Sequence, residues 1–136
     1  MSIDNNLYEK SIKILTDLIA FKTISGQDNS NLIDYCENIL NNIGINTFKV
    51  YDDDKKRVNL FGTLKAKNQS TKKPIILSGH TDVVPVSKGW SSDPFVATIK
   101  NNKLYGRGSC DMKGFIACTL AYAPIFKENN LDRDLH

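Results

Sequence analysis

The sequence is poor in the features that tie a chain to a secreted or membrane setting. It has three cysteines in 136 residues, Cys36, Cys110 and Cys118. An odd, sparse set argues against a disulfide framework and for a reducing compartment. The opening Met1-Ser2-Ile3-Asp4-Asn5 has neither the basic n-region nor the apolar h-region of a signal peptide. No apolar run approaches the ~20 residues that a membrane helix needs. The expected localisation is therefore cytoplasmic, with no membrane partner. Excess charge is missing too. Lys and Arg number 18 against 15 acids, a net +3. Lys55-Lys56-Arg57 and Lys72-Lys73 sit beside turns and read as solvated turns, so no nucleic-acid partner is expected. There are no internal repeats and no low-complexity tract.

What is present suits one globular domain, with 40% apolar and 24% charged residues. A domain near this size hides roughly 70% of its unfolded surface, enough for a real core. Leu7, Ser11, Ile14, Leu15, Leu18 and Ile19 follow helical spacing and predict a helix over 7–21. Asp28 or Ser30 can cap a second helix with Leu32, Ile33, Cys36, Ile39, Leu40 and Ile43 inward, closed by Gly44. Two strands follow, around residues 45–51 and 58–64. The apolar run Ile75-Ile76-Leu77-Ser78 reads as a buried third strand. Residues 96–99 and 104–105 predict a hairpin across Asn101-Asn102. A last helix is expected over 113–127, kinked or ended by Pro124. The order suggests an α/β fold, a mixed sheet flanked by helices.

The stretch from Ile75 to Cys118 is the part that looks built for chemistry. His80 and Asp82 stand two apart directly behind the third strand, and residues two apart on extended chain point the same way. A neutral imidazole is a common zinc ligand. A carboxylate beside it can take the other ring N–H and fix the tautomer. A plain surface loop explains the same pair. Asp111 sits where the glycine-rich Gly106-Arg107-Gly108-Ser109-Cys110 leads into a helix. It reads either as a carboxylate bridging two metal ions or as a helix cap. A dinucleotide loop does not fit, because Asp111 occupies the place of the third glycine.

Three segments together carry a resemblance. They are Ser78-Gly79-His80-Thr81-Asp82-Val83-Val84-Pro85, then Trp90-Ser91-Ser92-Asp93-Pro94-Phe95, then Leu104-Tyr105-Gly106-Arg107-Gly108-Ser109-Cys110-Asp111-Met112-Lys113-Gly114-Phe115. The sequence resembles the M20 metallopeptidases over nearly its whole length, most of all those that act as acetylornithine deacetylases. The succinyl-diaminopimelate desuccinylases are similar. The resemblance implies hydrolysis of an N-acyl amino acid amide, with two zinc (or cobalt) ions in the complete site. It implies His80 and Asp111 as metal ligands, Asp82 as the catalytic-site residue that orients His80, and a cis peptide after Asp111.

Family enzymes also carry a Glu-Glu pair downstream, a further acidic ligand, a late His and a dimerisation domain. Glu128 is the only Glu after Asp111 and stands alone; His136 is terminal and is not read as the late ligand. The expectation is thus a partial zinc-peptidase-like catalytic domain over residues 1–136. It would be truncated before the second half of the active site, with the dimerisation domain absent. It would be inert, or dependent on a partner chain for the missing half, and the sheet edge left unpaired by the truncation is expected to drive self-association. The substrate class would be a small N-acyl amino acid. Cys110 reads as a small buried residue, Cys36 and Cys118 as core. Trp90 and Phe95 either wall a cleft or bury their loop, and Arg107 meets a substrate carboxylate or a nearby acid.

Overall fold

The computed structural model describes residues 5–68 and 70–136. The signal-peptide reading of residues 1–4 lies outside them. Helix α1 spans Asn5–Ala20 and buries Ile14, Leu15, Leu18 and Ile19, the stripe its spacing predicts. Helix α2 spans Ser30–Asn42 and buries Leu32, Ile33 and Cys36. Its N-cap is Asn29, which makes no side-chain capping bond. Asp28 instead accepts from the Ser30 N–H and hydroxyl. Gly44, at φ 69°, closes the helix from the left-handed region, with its N–H on the Asn41 carbonyl.

Strands β1 (Asn46–Tyr51) and β2 (Val58–Thr63) form an antiparallel pair, with Phe48 opposite Phe61. Asp52 organises the turn between them by accepting the Lys56 and Arg57 N–H groups. Strands β3 (Thr98–Lys100) and β4 (Lys103–Tyr105) form the expected hairpin. Asn101 and Asn102 turn it at φ 51° and 56°, the left-handed pair a two-residue turn demands. Helix α3 spans Lys113–Glu128 and buries Ala117, Leu120, Ala121 and Ala123. It runs on through Pro124, so of the two expected outcomes there, a kink or an end, the helix does not end. Packing of Leu120, Ala121 and Ala123 outweighs the one helical bond that proline cannot donate.

The core lies where α1, α2 and α3 meet over β2. Leu18, Ile19 and Leu32 are fully buried within it. Each such side chain contributes about 1.5–3 kcal/mol relative to exposure.

Two further expectations change. Residues 75–78 are not a buried strand: Ile75 is 48% and Ile76 66% exposed. Among the described residues they pair only with the C-terminal segment, where Leu135 bridges antiparallel to Leu64 and parallel to Ile75. An apolar run becomes a buried strand only when neighbours cover it, and here one neighbour does so over a few residues. The single mixed sheet is accordingly two separate antiparallel pairs, with the beginnings of a mixed sheet at residues 64, 75 and 135. Cys110 and Cys118 are exposed and only Cys36 is buried, which corrects two of the three cysteine assignments. Cys118 lies on a face of α3 that the described residues leave exposed.

Candidate metal-ligand site

The site rests on the turn between α1 and α2. Val83 donates its N–H to the Thr23 carbonyl at 2.8 Å, and Ser25 returns one to the Val83 carbonyl at 3.0 Å. The Thr23 hydroxyl donates to the Thr81 carbonyl at 2.6 Å. The segment carrying His80 and Asp82 is thereby pinned to the first helix pair.

Asp111 arrives from the other side. The Ser109 N–H closes on the Gly106 carbonyl at 3.1 Å, and the Lys113 N–H on the Gly108 carbonyl at 2.8 Å. Gly108 sits at φ 83°, and a Cβ there would meet Val83 at 2.7 Å. Only glycine lets this turn lie so close to the His80–Val83 segment. The N-cap of α3 is Met112, so Asp111 is not its cap. The Asp111–Met112 peptide is cis.

These supports bring together the three residues singled out in the sequence. His80 Nε2 lies 2.9 Å from Asp111 Oδ1. His80 Nδ1 lies 3.0 Å from the Asp82 carbonyl oxygen and 3.2 Å from Asp82 Oδ1. The Ser25 hydroxyl donates to Asp82 Oδ2 at 2.6 Å. Both ring nitrogens therefore face acceptors, and the imidazolium satisfies both where a neutral ring satisfies one. Partial desolvation pulls the His80 pKa down. The Asp82 carbonyl and the Asp111 carboxylate outweigh it, and the net shift is upward. Asp82 is held below the ordinary carboxylate value, first by the Ser25 hydroxyl and then, against some desolvation, by the charge on His80. A cavity of about 230 Å³ opens among Ser25, His80, Asp82, Arg107 and Asp111.

Arg107 borders this cavity and pairs with no acid among the described residues. Its guanidinium lies over the Trp90 ring at 5.2 Å, and Nη2 reaches the Pro85 carbonyl at 3.4 Å. Phe95 packs under the Lys22 ammonium at 5.5 Å. Trp90 and Phe95 thus hold their loop against the body of the protein.

Sequence reasoning missed Ser25 and Lys113. Nothing in the sequence marks Ser25. Lys113 did leave a signal, since it shares an inward stripe with Ala117, Leu120 and Ala121 at helical spacing. It is fully buried, and its ammonium donates to the Leu18 and Phe21 carbonyls at 2.8 and 2.7 Å. Those carbonyls end α1, where cations are favoured.

The family description "Peptidase family M20/M25/M40" matches residues 76–136. This match takes in 61 of the 136 residues. The M20 stretch holds His80, Asp82 and Asp111 alike. Over 125 residues the chain is 39% identical to a succinyl-diaminopimelate desuccinylase of Rickettsia akari, covering 88% of this chain and 32% of that protein. It is 40% identical over 109 residues to an acetylornithine deacetylase of Myxococcus xanthus, covering 78% and 28%. The chain thus spans about a third of the length of the curated relatives it matches. Human carnosine dipeptidase 1 shares the fold at a TM-score of 0.77 and 24% identity, over 98% of this chain and 31% of that one. The yeast dipeptidase Dug1p shares it at 0.69 and 20%, over 96% and 31%. The fold is the α/β fold of M20 enzymes, present in part.

A catalytic zinc site draws on three protein ligands. Among the described residues no three His, Cys, Asp or Glu groups converge as a metal site would require. His80 Nε2 and Asp111 Oδ1 are two suitable donors 2.9 Å apart. They fit as part of such a site and are too few to hold a metal by themselves. No helix among the described residues is long and apolar enough to cross a membrane.

Proposed function

We propose that this chain carries the His80–Asp111 part of a hydrolase site acting on an N-acyl amino acid amide, in the manner of the acetylornithine deacetylases and succinyl-diaminopimelate desuccinylases it resembles. One observation carries this reading. His80 Nε2 and Asp111 Oδ1 converge at 2.9 Å while Asp82 holds the opposite ring nitrogen. That is the order carboxylate, imidazole, ligand point found where histidine binds a metal. Bound zinc or cobalt supplies a Lewis acid and an activated water. The chain's own part is to present the Nε2 lone pair, to fix the Nδ1–H tautomer through Asp82, and to offer two oxygens from Asp111. Asp82 is engaged with His80 and Ser25, and Asp111 with His80, so neither is free as a general base. That base must lie within about 2.6–3.2 Å of the proton it takes.

A second reading, a chain with no activity of its own, is favoured by the two-donor count among the described residues. A deacylation assay separates the two. The substrates are N-acetylornithine and N-succinyl-diaminopimelate, with zinc or cobalt added. The chain is tested alone and with the C-terminal two-thirds of an M20 relative supplied as a separate polypeptide. Turnover only in the mixture, lost in Asp111→Ala, supports the first reading. No turnover in either arm supports the second. Metal-dependent turnover by the chain alone would show that fewer residues suffice than argued here.

A further inference from the structure

The turn between α1 and α2 sends three side chains across to the segment that carries His80 and Asp82. The Thr23 hydroxyl donates to the Thr81 carbonyl at 2.6 Å. The Asn29 amide donates to the Thr81 hydroxyl at 3.1 Å and to the Val58 carbonyl at 3.0 Å. These two contacts hold Thr81, the residue between His80 and Asp82. The third, from the Ser25 hydroxyl, ends at 2.6 Å on the Asp82 carboxylate itself.

The backbone of Ser25 is fixed independently of its hydroxyl. The Ser25 N–H donates to the Val83 carbonyl at 3.0 Å, and the Val83 N–H to the Thr23 carbonyl at 2.8 Å. Together they make a short parallel bridge between Ile24 and Val83. The Gln27 N–H closes the turn on the Ile24 carbonyl at 2.8 Å. Removing the hydroxyl therefore leaves the turn tied down. That hydroxyl has one proton and two acceptors within reach, Asp82 Oδ2 at 2.6 Å and the Val83 carbonyl at 3.4 Å. The charged and nearer acceptor takes it.

Asp82 depends on that second anchor. Its side chain is 51% exposed, and the outer torsion of a carboxylate is broad and two-fold. One contact does not fix its plane. Oδ1 lies 3.2 Å from His80 Nδ1, longer than the roughly 2.7–2.9 Å of a charge-assisted bond. The carbonyl of Asp82 lies nearer the same nitrogen, at 3.0 Å. Left to itself, the carboxylate would turn to water and leave Nδ1 to the carbonyl. With Oδ2 bonded to Ser25, both ends are placed and Oδ1 stays on the ring.

We propose that Ser25 is a positioning residue for His80, acting through the Asp82 carboxylate. The proposal rests on the hydrolase-site reading above, in which Nε2 is the ligating nitrogen. A ring that ligates through Nε2 carries its proton on Nδ1, and the hydrogen bond at Nδ1 sets that choice. Ser25 thus biases the ring towards the ligating tautomer before any metal arrives. Outer partners of a ligating histidine typically change metal affinity by about 10–100-fold. The requirement at position 25 is a short side chain with an O–H donor. Serine and threonine meet it; alanine has no donor and cysteine only a weak one.

The test uses the full chain without metal. Long-range proton–nitrogen NMR reads the His80 ring at a pH where it is neutral, in the wild type, Ser25→Ala, Ser25→Cys and Ser25→Thr. The ratio of Nδ1–H to Nε2–H should fall about two- to tenfold in the alanine and cysteine variants, the worth of one hydrogen bond, and return to within about twofold of wild type in Ser25→Thr. An unchanged ratio in Ser25→Ala, with the amide spectrum otherwise intact, would overturn the proposal. A wild-type ring with no detectable Nδ1–H form would overturn it too. If alanine disturbs the fold, the cysteine variant, which fills the same space, carries the same test. Millimolar zinc added to the wild type separates this failure from failure of the site reading. A ratio that responds to Ser25 in a ring that zinc leaves unmoved supports the positioning and sinks the hydrolase site. A ring that zinc moves, with a ratio indifferent to Ser25, sinks the positioning alone.

Discussion

The Lys113 ammonium lies 2.7 Å from the carbonyl oxygen of Phe21, and this contact ties the first residue of α3 to the end of α1. Leu18 offers a second carbonyl at 2.8 Å. A neutral amine has two N–H groups for these two acceptors, so it is satisfied without charge. Burial holds the Lys113 pKa down at about 8, below its ordinary value of 10.5. Between those pH values the unfolded chain binds the extra proton and the folded one does not. Stability from this group therefore rises from pH 8 towards 10.5, by on the order of a few kcal/mol. Urea unfolding against pH should show that rise, and Lys113→Met should remove it. The variant should also lose about 1–3 kcal/mol at pH 7 for each carbonyl left without a donor. A wild-type profile that falls over that range would contradict the assignment.

His80 should titrate above its ordinary value of 6.5, because the Asp82 carbonyl and the Asp111 carboxylate outweigh the desolvation that pulls it down. The sign follows: the imidazolium's contribution to stability is whole below the unfolded pKa and fades as pH rises through the folded one. Both groups are well exposed, so the effect on stability is small. Imidazole NMR resonances against pH measure it. Asp111→Asn should move the midpoint down, while Glu9→Gln, on the exposed side of α1, should leave it in place.

Zinc binding by this chain alone should be weak. His80 and Asp111 are two donors, one short of the usual three. Equilibrium dialysis should find no tight stoichiometric zinc, and what little binds should drop in His80→Ala. Tight zinc that survives His80→Ala would place the metal elsewhere.

The cysteines should divide two to one. Cys110 and Cys118 are exposed and Cys36 is buried, with its thiol pushed up to about 12 by burial. The thiolate is the reactive form. A thiol reagent at pH 8 should modify two groups quickly and the third only at the rate of opening. Three equally fast groups would mean that the α2 face is not packed as described.

Residue pattern alone was enough for the helices, the hairpin and the three residues that meet around His80. Ile14, Leu15, Leu18 and Ile19 repeat at the helical period, so burying them in water leaves α1 little choice. Asn101-Asn102 tolerate the left-handed region that a two-residue turn imposes. His80, Asp82 and Asp111 were legible from residue chemistry and the resemblance together. Tertiary structure decided what depends on neighbours. Residues 75–78 are as apolar as any strand, yet a strand is a pairing, and the chain lays only residues 134–136 beside them. Lys113 is charged in the alphabet and buried in the fold, because two helix-end carbonyls meet it there. Ser25 reached Asp82 only because the α1–α2 turn docks on Val83. Spacing along the chain fixes which side chains share a face; only packing fixes which partners they meet there.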